Sequence, residues 1–109
     1  MSARLASSVL VSALIRQAES EGGFGAVLAK GDATSGAIVV VLTERGANPR
    51  FYERILQPDG GYLWQPATGE ATEVPAFIAR RRRFDPDLWV LELDIPARER
   101  FAAAMNEVN

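Results

Sequence analysis

Apolar positions near the start of the chain recur at helical spacing: Val9, Leu10, Ala13, Leu14 and Ala18 share one face. Ser7 or Ser8 supplies a side-chain cap and Gly22-Gly23 a left-handed stop, so the first helix is predicted over about residues 9–21. Residues 1–8 either extend that helix or form a short extended arm, because Leu5, Ser7 and Val9 also alternate. Residues 24–29 are a short apolar run bounded by glycine and predict a strand. After a turn containing Gly31, Asp32 and Gly36, residues 37–43 (AIVVVLT) are apolar on both faces, the pattern of a strand in the middle of a sheet.

Residues 45–49 read as a turn, and in residues 50–57 Phe51, Glu53 and Ile55 alternate with Tyr52, Arg54 and Leu56 in a half-buried strand. Pro58-Asp59-Gly60-Gly61 turns the chain back into a fourth strand at residues 62–65, completing an antiparallel meander of four strands. A polar loop over 66–72 leads to helical spacing at 73–84, with Thr72 as its cap and Pro75 inside the tolerant first turn. Asp85 precedes Pro86, which disfavours helix. Residues 88–95 place Trp89, Leu91, Leu93 and Ile95 on one face of a fifth strand, and Pro96 opens a last helix with the narrow stripe Phe101, Met105 and Val108. The order αββββαβα predicts a single α+β domain over 1–109, an antiparallel sheet of about five strands with two to three helices packed on it.

Composition narrows the chemistry. A chain of 109 residues, 48% hydrophobic, suffices for one core without staples. It has neither cysteine nor histidine, which removes thiolate nucleophiles, imidazole bases, disulfides and the common zinc and iron ligand sets. No catalytic residue, cofactor or metal ligand is expected, and the chain leans away from being an enzyme. A cysteine-free chain fits a reducing cytoplasm, the expected location. The serines at 7, 8 and 12 break the weak resemblance of the N-terminus to a signal segment, and no run approaches the ~18 apolar residues of a membrane span.

Four of the 12 basic residues stand together at Arg80 to Arg83. On a helix at about 100° per residue Arg81 falls on the apolar side with Val74, Phe77, Ile78 and Phe84, while Arg80, Arg82 and Arg83 fan over roughly 160°. The run is therefore a helix end rather than one patch. Arg81 is expected to lay its stem on the core and pair with Asp85 or a strand carboxylate, and to be less exposed than Arg83. With a net charge of -2, nucleic acid is a disfavoured partner, although Arg80, Arg82 and Arg83 with Arg50 or Arg54 are the residues it would use. Tyr62, Trp64 and Phe51, on neighbouring strands, offer an aromatic platform or, more commonly, core packing. Asp85, Asp87, Glu92 and Asp94 are the only dense carboxylate set, with the spacing of a turn rather than of a calcium loop, and leave a carboxylate-based enzyme as a further alternative.

The segments VSALIRQAESEGGFGAVLAKGDATSGAIVVVL (11–42) and RRRRFDPDLWVLELD (80–94) resemble domain of unknown function family 1491, small alphaproteobacterial proteins. The resemblance implies a bacterial cytosolic protein of about this length, and no substrate or catalytic residue. The function expected is that of a small non-catalytic interaction domain that binds another protein or itself. Arg80, Arg82, Arg83, Tyr62 and Trp64 are its candidate surface. Arg81, Phe84, Asp85, Pro86, Asp87 and Trp89 are assigned structural roles.

Overall fold

The computed structural model describes residues 5–67 and 73–108. The elements follow in the predicted order: α1 (Ser7–Ser20), β1 (Phe24–Ala29), β2 (Ile38–Glu44), β3 (Ala47–Leu56), β4 (Tyr62–Pro66), α2 (Val74–Phe84), β5 (Trp89–Asp94) and α3 (Arg98–Val108). The strands form one sheet in the order β1-β5-β2-β3-β4. β2, apolar on both faces, is its middle strand, as its pattern predicts.

Two expectations about the sheet are corrected. It is mixed rather than antiparallel, because β2 and β5 run parallel while every other neighbouring pair is antiparallel. The first four strands do not make a meander either, since β5 inserts between β1 and β2. The cause lies in β5 itself: Leu91 and Leu93 are buried on one face and Leu88 and Val90 on the other, so this strand also needs neighbours and cover on both sides. The connection through α2 returns β5 in the direction of β4, which is also that of β2, and the new pair is therefore parallel.

Helices cover both faces. α1 and α3 bury Leu10, Leu14, Phe101 and Met105 against Val40, Leu42, Leu91 and Leu93. α2 closes the opposite face through Phe77, packed among Val39, Val41, Phe51 and Val90, with the Phe51 and Phe77 rings 4.2 Å apart. Of the α3 stripe, Phe101 and Met105 are fully buried, whereas the Val108 side chain lies outside the described residues.

α1 begins two residues before its predicted start, and neither Ser7 nor Ser8 caps it by side chain. Their backbone N–H groups donate to Thr34 O and Ala33 O at 3.1 and 2.9 Å, and Ser7 Oγ donates to Gly36 O at 2.7 Å. Carbonyls of the β1–β2 loop thus satisfy donors that a local cap would have taken. Residues 7 and 8 are helical, Ala6 is extended, and residues 1–4 of the proposed arm lie outside the described residues, as does the Thr72 cap. The helix ends as expected: Gly22, at φ +87°, donates to Glu19 O while Gly23 donates to Ala18 O, the paired bonds of a Schellman stop.

The turn predicted at 45–49 is tighter, a two-residue loop of Arg45 and Gly46 with both φ angles positive. The Asp94 carboxylate accepts their N–H groups at 2.9 and 2.5 Å, and the buried Arg98 donates to Asn48 O. β5 and the start of α3 hold this hairpin in place.

Candidate interaction surface

The arginine run meets the β1–β2 loop at a polar joint. Arg82 Nη2 donates to Pro86 O at 2.7 Å and to Lys30 O at 3.1 Å, Asp32 N donates to Asp87 O at 3.0 Å, and Trp89 Nε1 donates to Asp32 O at 2.7 Å. Asp85 Oδ1 accepts Asp87 N at 3.2 Å, the Asx turn expected around Pro86. Arg82, assigned to an open surface from its helical azimuth, instead bridges two loops that the azimuth says nothing about.

The Asp32 carboxylate accepts the N–H groups of Ser35 and Thr34 at 2.8 and 3.1 Å and the Ser35 hydroxyl at 3.2 Å. The backbone bond from Ser35, then that from Thr34, holds its pKa below the ordinary 3.8. A depressed folded-state value means that the contribution to stability is complete above about 3.8 and is lost as pH falls through the lower folded value. Asp32→Asn is accordingly expected to lower the unfolding midpoint at neutral pH, with the gap to the parent closing in acid below that range. Thermal melts across pH that show a constant gap would remove the carboxylate charge from this account.

The other candidates disperse. Arg81 is half-buried and bonds Glu53 Oε1 of β3 at 3.0 Å, with its guanidinium 5.4 Å from the Phe77 ring; its partner is a strand carboxylate rather than Asp85. Arg80 and Arg83 are exposed. Arg54 lies 3.9 Å over the Tyr62 ring. Trp64 is buried under α3 and contributes nothing to an open face. Phe51 is on the α2 side of the sheet and Trp64 on the other, so no aromatic platform forms. Phe84, expected on the apolar side, is 81% exposed: its azimuth matches that of Phe77, but it stands at the C-terminal end of the helix, beyond the apolar cluster beneath α2.

The carboxylates do not converge. Asp85 and Asp87 sit before β5, whereas Glu92, toward the strand's other end, accepts the Thr43 hydroxyl at 3.1 Å and Asp94 holds the hairpin. Among the described residues no group of three acidic side chains is placed to hold a metal ion. Two open clefts, of about 470 and 630 Å³, lie beside Ser7 with Tyr62 and beside Phe24 with Arg45. The polar groups that line them are largely committed to the loop and hairpin bonds just described.

A signal that the sequence reading passed over is the contrast between the two sheet edges. On β4 the alternation of the ladder turns the peptide groups of Tyr62, Trp64 and Pro66 outward. Asn106 of α3 occupies the middle position, its Oδ1 accepting Trp64 N at 2.6 Å and its Nδ2 donating to Trp64 O at 3.4 Å, and Pro66 has no N–H to offer. On β1 the same alternation turns Gly25 and Val27 outward, because Phe24, Ala26 and Ala29 face β5. Among the described residues no strand or side chain covers that edge. Phe24, Val27 and Leu28 are 59%, 44% and 38% exposed along it. Such an edge is a template for another strand.

A family model described as a protein of unknown function (DUF1491) matches residues 5–103. The chain belongs to the DUF1491 family. A crystal structure of a DUF1491 protein from Caulobacter crescentus CB15 is similar at a TM-score of 0.78 and 34% identity, covering 90% of this chain and 94% of that one. An NMR structure of a DUF1491 protein from the same organism gives 0.77 and 33%, over 92% and 94%. A solution structure of an A. tumefaciens protein gives 0.70 and 36%, over 84% and 86%. No curated protein matches the chain. The two segments that carry the DUF1491 resemblance, 11–42 and 80–94, meet each other at the Asp32–Trp89 joint, so the motif has an architectural role in this fold.

Proposed function

We propose that this DUF1491 protein is a non-catalytic interaction domain that receives a partner strand on the β1 edge. The observation that carries the reading is the asymmetry of the sheet: Asn106 and Pro66 blunt the β4 edge, while β1 presents an apolar, uncharged strand with two outward peptide positions. Of the arginines first considered for nucleic acid, Arg82 is engaged with backbone carbonyls and Arg54 lies over the Tyr62 ring. The cysteine-free composition supports a cytoplasmic setting, and the bacterial sources of the similar structures support a bacterial one. No helix of the described residues is long and apolar enough to cross a membrane.

Amide exchange on dilute protein tests the edge without knowledge of the partner. Gly25 and Val27 are expected to exchange at least about tenfold faster than Phe24 and Ala26, whose N–H groups face β5. Equal protection at all four positions would show a closed edge and overturn the reading.

A further inference from the structure

We infer that the strand received by β1 is β1 of a second copy, paired antiparallel about a two-fold axis at Ala26. The inference rests on the reading of β1 as an open edge and names its occupant. The strand itself carries no charge, but its surroundings do: Glu19 and Glu21 stand at the carboxyl end of α1 just before it, while Lys30 follows it beside Arg82. An antiparallel copy lays the basic end of one strand against the acidic end of the other, twice, and the negative end of the α1 dipole adds to the attraction. A parallel copy would set like charges together.

Ladder geometry fixes the register. Only outward positions exchange hydrogen bonds, so Gly25 and Val27 of one copy must face Gly25 or Val27 of the other. Pairing Gly25 with Val27 uses all four positions, sets Ala26 opposite Ala26, and brings Phe24 alongside Leu28 of the second copy, matching exposed apolar side chains. Centring on Val27 would set Phe24 against Lys30, and centring on Gly25 would leave Phe24 against Ala26. The bulge at Leu28, between Val27 and Ala29, interrupts the regular ladder just after Val27, the last residue whose hydrogen bonds this register requires.

The absence of cysteine makes the test direct. Ala26 opposite Ala26 is a non-hydrogen-bonded pair, with Cα atoms about 4.5 Å apart and within disulfide range. Ala26→Cys is expected to oxidise to a covalent dimer, whereas Ala76→Cys, exposed on α2, stays monomeric under the same conditions. Sedimentation equilibrium of the unmodified chain is expected to show a concentration-dependent dimer. Val27→Lys weakens it about tenfold or more. Glu21→Lys and Lys30→Glu each weaken it, and the two combined restore it. A chain that stays monomeric at every concentration, with Gly25 and Val27 still exchanging fast, overturns the second copy as partner and leaves the open edge standing. A dimer indifferent to Val27→Lys and to the charge swap overturns the pairing. Protection of Gly25 and Val27 in the dilute monomer overturns both the inference and the reading beneath it.

Discussion

Trp89→Ala is expected to cost about 3–5 kcal/mol, a large share of the roughly 5–15 kcal/mol that holds a domain of this size together. The indole is 5% exposed at the start of β5, in the core beneath α1 and α3. Truncation leaves a cavity that the central strand beside it cannot readily collapse into. It also removes the bond that the indole N–H donates to the Asp32 carbonyl at 2.7 Å, leaving that carbonyl only the longer bond from Gly36 N at 3.2 Å. Trp89→Phe separates the two losses, because it keeps most of the apolar volume and removes the donor; about 1–2 kcal/mol is expected. Urea titrations with unchanged slopes give both numbers. Equal costs for the two variants would deny the hydrogen bond any part in stability.

Gly36→Ala is the second large effect. An added Cβ would lie 2.3 Å from Asp87 O and 2.9 Å from both Asp32 N and Asp32 O, all backbone atoms with little freedom to yield. The Gly36 carbonyl also accepts Ser7 Oγ, so relief by shifting this residue disturbs the start of α1 as well. A loss of about 3 kcal/mol is expected, at the upper end for overpacking a close-packed site. Gly46→Ala is the contrast: nothing lies within 4 Å of its Cβ, and only its positive φ opposes the change, at about 1 kcal/mol. Thermal melts in which Gly36→Ala is no worse than Gly46→Ala would show that the loop adapts freely.

The element order and the central place of β2 were legible in the sequence, because local spacing decides the one and apolarity on both faces the other. β5 was harder to place. Glu92 and Asp94 made one face look solvent-exposed, but Glu92 accepts the Thr43 hydroxyl and Asp94 binds the Arg45–Gly46 turn, so they belong to the structure of a covered strand. Azimuth on α2 placed Arg81 correctly against the sheet and misplaced Phe84, since an angle does not say where the apolar surface beneath a helix ends. Placing Trp64 on a strand beside Tyr62 did not show that α3 would cover it. The difference between the sheet edges depends on which strands lie outermost and on a contact from Asn106, both long-range facts that no local pattern contains.

The insertion of β5 also constrains the order in which the chain can fold. β2, β3 and β4 are joined by tight turns and can zip together from local contacts, on the microsecond scale of hairpins. β1 is made before all of them, yet its sheet partner, β5, is the last strand in the order of elements. Its place in the sheet therefore depends on closing a loop from Ala29 to Val90, an entropic cost that must be met before any of that pairing is gained. During synthesis β1 would emerge well before β5, so the nascent chain carries this apolar strand uncovered on both sides until β5 appears.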